Sequence, residues 1–162
     1  MLLMFTACLI SAQDKNKIND NKAKEFIISY TTGTLDIETN YAEVEVDYET
    51  IGGRFGLYSS QTTQWGGYYE IDLEDSEINL LGAYIRSYLQ QDQFSPYLEL
   101  DLGMAMGDED SEFFIGGMIG GKYVLDGKSA FDLGFRYLYS EGDDIWLDFS
   151  SFVLGYSFSL PN

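Results

Sequence analysis

The last fifty residues constrain the fold more than any other part of the chain. From Phe113 the sequence runs FFIGGMIGGKYVL, turns through DGKS, returns as AFDLGFRYLYS, passes SEGDD and ends in WLDFSSFVLGYSFSL. Read as strands, the last two place Phe131, Leu133, Phe135, Tyr137 and Tyr139, then Phe152, Leu154, Tyr156, Phe158 and Leu160, on one face. Asp132, Gly134, Arg136, Ser151, Gly155, Ser157 and Ser159 fall on the other. A period of two sustained over ~10 residues, apolar and aromatic against small and polar, suits a barrel strand with lipid outside and a filled interior. A hydropathy scan tuned to helices misses it, and no run here approaches the ~18 apolar residues that a spanning helix needs.

The same period recurs upstream. Strand one is expected near residues 25–35, with Phe26, Ile28 and Tyr30 on one face. Strand two covers about 41–58, where Val44, Val46 and Tyr48 alternate with Glu43, Glu45, Asp47 and Glu49. Gly52-Gly53 then shifts the parity so that Phe55 and Leu57 continue the apolar face, which predicts a bulge or bend there. Strand three, near 62–73, turns Trp65, Tyr69, Ile71 and Leu73 outward and Tyr68, Glu70 and Asp72 inward. Strand four, near 77–90, sets Leu81, Ala83, Ile85 and Leu89 against Gly82, Tyr84, Arg86 and Tyr88. Strand five, near 95–106, sets Leu98, Leu100, Leu102, Met104 and Met106 against Tyr97, Glu99, Asp101, Gly103 and Ala105. Strand six, near 112–125, is glycine-rich. Eight strands of ~11 residues leave short polar connections. The expected class is therefore all-β: one antiparallel up-and-down transmembrane barrel over 25–160, with eight strands, or ten if strand two breaks at its glycine pair. Two prolines in 162 residues agree with uninterrupted ladders.

Soluble sandwiches and lipocalin-like barrels alternate too, with the apolar face inward. Three features favour a membrane. The polar face is often Gly, Ser or Ala. Aromatics stand near strand ends (Tyr30, Tyr48, Trp65, Tyr88, Tyr97, Tyr123, Tyr139, Trp146 and Phe158), as at membrane interfaces. The chain also closes on an aromatic strand. With the N-terminus in the periplasm, the acidic connections LEDSE, GDEDSE and SEGDD fall outside, and DGKS is a periplasmic turn.

Residues 1–12, MLLMFTACLISA, read as the apolar core and cleavage region of a signal peptide, without a basic opening. A plain apolar tail and a lipidated Cys8 are the other readings. Residues 13–24, QDKNKINDNKAK, read as a flexible polar lead-in. Cleavage after Ala12 leaves no cysteine, so no disulfide framework is expected.

The GGKYVL-DGKS-AFDLGFRYLYS hairpin and the final VLGYSFSL strand resemble the small OmpA/OmpX-type outer-membrane β-barrel proteins of Gram-negative bacteria. The Ser-Ala-Gln segment and the acidic composition resemble their Bacteroidetes members. The resemblance covers roughly residues 25–160 as a pattern rather than a motif. It implies outer-membrane localisation, contact with outer-membrane lipid and lipopolysaccharide, handling by the β-barrel insertion machinery and a monomeric state. Family members usually finish on a terminal aromatic; here Phe158 is followed by Ser159, Leu160, Pro161 and Asn162.

The chain has no histidine. A Ser-His-carboxylate relay is therefore out of reach, and the resemblance implies that the histidine-dependent enzymes of this architecture are excluded as well. No catalytic residue, cofactor or metal ligand is assigned. The run Gly107–Glu112 lacks the spacing of a calcium loop, which needs acids at alternate positions, a central glycine and a distant glutamate. The Gly116-Gly117 and Gly120-Gly121 pairs are followed by no Lys-Ser/Thr and read as close packing, not a phosphate loop. A net charge of -18 argues against nucleic acid as a partner.

The row Glu43, Glu45, Asp47, Glu49 is expected to face the lumen and to be neutralised by Arg54, Arg86, Lys122 and Arg136. Small barrels fill their interior with side chains, and a buried charge without a partner is costly. The function expected is non-enzymatic: a structural, envelope-integrity or surface-interaction role with a filled lumen. A soluble barrel holding an apolar ligand and a narrow channel are the alternatives.

Overall fold

The computed structural model describes residues 24–39, 41–73, 78–107, 111–142 and 145–160. The segments 1–12 and 13–23, which hold the expected leader and most of the lead-in, lie outside them, as do the acids of 74–77, 108–110 and 143–144. Eight strands follow one another: β1 Lys24–Thr39, β2 Glu43–Tyr58, β3 Thr63–Asp72, β4 Asn79–Tyr88, β5 Phe94–Met106, β6 Ser111–Asp126, β7 Ser129–Glu141 and β8 Ile145–Leu160. Each pairs antiparallel with its neighbours in sequence, and β8 returns to β1, so the sheet closes as a barrel.

The pairing fixes the shape. Stepping between directly opposed residues gives Lys24, Leu57, Trp65, Ile85, Leu100, Gly117, Tyr137 and Ser150, then Thr34. One circuit thus returns to β1 ten residues beyond its start. A shear of ten over eight strands sets a tilt of about 40°. Each residue then gains roughly 2.5 Å of height along the barrel axis.

Every residue on that circuit points outward. The outer surface carries exposed Ile28, Ile85, Leu100, Leu102, Ile119, Leu133 and Phe152 with their neighbours, a continuous apolar belt. The inner surface buries Arg54, Arg86, Lys122 and Arg136 with Tyr68, Tyr84, Tyr88 and Tyr97. A water-soluble barrel has the reverse arrangement. Inward glycines give the large side chains room: a Cβ on Gly82 would lie 2.5 Å from Tyr68 Cζ, and one on Gly120 2.6 Å from Tyr97 Cζ. On β7–β8 the outward aromatics pair across the strands, with Phe131 and Tyr156 at 5.2 Å and Phe135 and Phe152 at 5.4 Å, edge to face.

Three sequence expectations are corrected. β2 has no bulge at Gly52-Gly53: its register against β1 runs unbroken from Lys24↔Leu57 to Glu38↔Glu43. With parity unbroken, Tyr48 and Thr50 point inward like Arg54, and Glu43, Glu45, Asp47 and Glu49 lie on the outer face. β2 stays one strand, so the count is eight. Tyr48, expected on the outer face, is buried in the interior; Tyr88 and Tyr97, which alternation places inside and the list of rim aromatics places outside, are buried as alternation has them.

The wall is uneven. At the end carrying Lys24 and Leu160 the strands finish nearly level. At the far rim β2 runs on from Thr50 to Glu43 beyond Thr50↔Asp72, the last register pair it forms with β3 among the described residues. That seven-residue extension rises roughly 17 Å. β8, β1 and β2 therefore form a tall flank and β3 and β4 a low one.

Candidate functional site: the charged lumen and the far rim

The interior is layered. Nearest the end that carries Lys24 and Leu160, Glu25 of β1 accepts from Lys122 Nζ, from Gln64 Nε2 at 2.7 Å and from Tyr58 Oη at 3.2 Å. Above it runs an ion-pair ladder. Arg86 gives Nη1 to Asp132 Oδ1 at 2.7 Å and Nε to Glu99 Oε2 at 2.6 Å. Arg54 gives Nη1 to Glu99 Oε1 at 2.6 Å and reaches Glu70 Oε1 with Nη2 at 3.4 Å. Arg136 closes the ladder on Glu70 with two bonds of 2.7 Å. The guanidinium of Arg86 stacks on Tyr97 at 3.9 Å and that of Arg54 on Tyr68 at 4.6 Å.

Above the ladder the interior turns apolar. Leu35, Leu80, Phe114, Leu138, Leu147 and Phe149 cluster at the far-rim level with Tyr48 and Ala105. Ile37 and Ile78 pack against them.

Sequence reasoning placed all four cations on inner faces, and the structure brings them into one interior. Their partners differ from those expected. Glu43, Glu45, Asp47 and Glu49 touch none of them; Glu25, Glu70, Glu99 and Asp132 do. The physical reason is height. Near the rim the outer face of β2 meets water rather than lipid, so acids belong outside, while the inner face meets the apolar cluster. Polar-in, apolar-out inverts along a single strand. Glu70, Glu99 and Asp132 were visible as inward acids on their alternating strands. Glu25, which precedes Phe26 on the opposite parity, carried the same signal.

The buried charges do not balance. Among the described residues five buried acids (Glu25, Glu70, Glu99, Asp101 and Asp132) face four buried bases. Asp101 is the surplus one: neither of its carboxylate oxygens has a hydrogen-bond partner, and it joins no ion pair. It stands directly opposite Tyr84, whose hydroxyl is also unpartnered, at the boundary between ladder and apolar cluster.

At the rim, acids oppose acids on the outer face of the tall flank. Glu38 lies across from Glu43, and Asp36 lies across from both Glu45 and Asp148. Asp148 accepts from Tyr137 Oη at 2.5 Å. Among the described residues no group of three or more His, Cys, Asp or Glu is placed to hold a metal ion.

No family model and no curated protein matches the sequence. Solved structures do match in shape. Neisserial surface protein A (NspA) is 15% identical with a TM-score of 0.58, over 83% of this chain and 97% of that one. A de novo designed transmembrane β-barrel is 10% identical with a TM-score of 0.55, over 91% and 98%. The outer membrane protein OprG from Pseudomonas aeruginosa is 13% identical with a TM-score of 0.53, over 87% and 98%. At these identities the likeness is one of fold, and the fold is that of the small eight-strand OmpA/OmpX-type membrane barrels.

Proposed function

We propose that this chain is a non-enzymatic integral protein of the bacterial outer membrane, with the far rim outside the cell. The observation that carries the reading is the sorting of side chains: Ile28, Leu100 and Leu133 face outward while Arg54, Arg86 and Arg136 are buried within. Only a lipid exterior makes that sorting favourable. The likeness in fold to a neisserial surface protein and to the outer membrane protein OprG supports the location.

In this reading the ladder and the apolar cluster fill the lumen and hold the wall round, so the barrel conducts no ions. The role is structural or interactive, through the rim. Lipid and lipopolysaccharide surround the belt, the insertion machinery receives β8, and the protein works as a monomer. Absence of histidine from the chain supports a role without catalysis.

Membrane fractionation followed by unheated and boiled lanes on a denaturing gel tests the location. A band in the outer-membrane fraction that shifts on boiling is expected; a product that stays soluble without detergent overturns it. Stable current steps in a planar bilayer would overturn the filled lumen while leaving the location intact.

A further inference from the structure

Among the described residues, the tall flank ends in a strand edge that nothing pairs. Leu73 N donates to Glu49 O at 2.8 Å, so the Glu49 carbonyl points to the β3 side of β2. Along a strand every second residue sends its N–H and C=O to the same side. Glu43, Glu45 and Asp47 therefore offer their backbone groups to that side too, where no described residue pairs with them. Their carboxylates stand on the outer face of the same segment. Between them Val44, half exposed, and Val46 continue the apolar inner surface.

We infer that the free edge of β2 over Glu43–Asp47 docks an extended basic segment of another protein, which adds to the sheet as a further strand. Charge and period select the occupant. In a paired strand the residue directly opposite shows its side chain on the same face. Lys or Arg opposite Glu45 and Asp47 would meet acids, and apolar residues between them would cover Val44 and Val46. The flank already sets acid against acid at Glu38↔Glu43 and Asp36↔Glu45, and like charges directly opposed destabilise a sheet. An arriving cationic strand relieves that repulsion, whereas a second copy of this edge would add to it. Backbone bonding supplies affinity and the alternating side chains supply selectivity. The inference rests on the barrel reading above, which puts this rim outside the cell.

The test uses the full barrel in zwitterionic phosphatidylcholine nanodiscs. The probe is a short synthetic peptide of alternating lysine and valine, compared with the same peptide N-methylated at every lysine, the residues whose N–H groups face β2 when lysine stands opposite Glu45. N-methylation keeps the charge and blocks strand pairing. Saturable amide-shift changes at Glu43, Glu45 and Asp47, with slowed exchange of those amides, are expected from the first peptide and not from the second. Glu45→Pro removes a donor that faces the free edge, a place where proline is tolerated, and should weaken binding at least roughly tenfold. The triple change Glu43→Gln, Glu45→Gln, Asp47→Asn should do the same and flatten the salt dependence.

Equal binding of both peptides would overturn the inference, because the acids would then attract charge without pairing. Shifts confined to other residues would overturn it, as would unchanged binding by a heat-modifiable Glu45→Pro barrel. Dimers in sedimentation that Glu45→Pro disperses would identify a second copy as the occupant and overturn it too. If Glu45→Pro does not fold, the two peptides decide the matter alone. Failure of the barrel reading itself would show separately, as solubility without detergent.

Discussion

Glu70 and Arg136 meet as a fork across the lumen, Oε1 to Nη1 and Oε2 to Nη2, both at 2.7 Å. β3 and β7 lie on opposite sides of the barrel, so the pair ties walls that share no ladder. Both side chains are buried. Two charges removed from water in this way are stable only while each keeps its partner. Glu70→Gln is expected to cost about 3–5 kcal/mol by leaving Arg136 and half of Arg54's contacts uncompensated. Arg136→Met alone should cost a similar amount. The double change Glu70→Leu, Arg136→Met should cost less than the sum, since it strands only Arg54. Urea unfolding in lipid vesicles, read by tryptophan fluorescence, measures all three.

Asp101 makes the opposite prediction. Its carboxylate oxygens are buried and unpartnered, and it is the acid in excess over the four buried bases. An amide of the same shape removes the unpaired charge. Asp101→Asn should therefore stabilise the barrel by about 1–3 kcal/mol or leave it unchanged. Asp132→Asn, which takes the partner from Arg86 Nη1, should destabilise it. A loss of stability in Asp101→Asn comparable to that in Asp132→Asn would show that Asp101 compensates Arg54 and Arg136 across the lumen.

The turn joining β6 and β7 carries a pH-dependent clasp outside the membrane belt. Asp126 Oδ1 accepts from Ser129 Oγ at 2.7 Å, Ser129 N at 2.8 Å and Lys128 N at 3.1 Å. The Ser129 hydroxyl bond, then the two backbone bonds, holds its carboxyl below the ordinary carboxylate range. A carboxyl depressed on folding adds stability above its unfolded value and loses it as pH falls through the folded one. Carboxyl-carbon NMR should show Asp126 titrating below a model peptide, and Ser129→Ala should move the midpoint back up. Coincident midpoints in wild type and Ser129→Ala would remove the clasp.

The inner and outer faces were legible from period two alone wherever a strand stays within the lipid belt, as at Phe131–Tyr139 and Leu98–Met106. The reading failed where β2 leaves it. Val44, Val46 and Tyr48 look like a lipid face only if lipid is assumed at every height, and the glycine pair then had to absorb the contradiction as a bulge. Tyr48 goes astray with them, and Tyr88 and Tyr97 fit the inner face and the rim list alike because a phenol suits both a polar interior and a membrane interface. The partners of the cations were beyond local pattern: Lys122 and Glu25 are 97 residues apart and become neighbours only through closure of the barrel.

That same inversion gives a depth test of the membrane reading. Leu100 lies on the outer face near mid-height of β5, and Glu45 on the outer face of the β2 extension. If lipid surrounds the belt and water the rim, Leu100→Arg should cost about 2–4 kcal/mol, the range for a cation at the bilayer midplane. Glu45→Arg should cost about 0–1 kcal/mol, and the removal of repulsion against Asp36 offsets part of that. In a soluble barrel both positions would face water and both substitutions would be nearly neutral. Equal unfolding free energies for the two variants in vesicles would therefore refute the lipid belt, whereas a gap of a few kcal/mol between them ties the apolar exterior to bilayer depth.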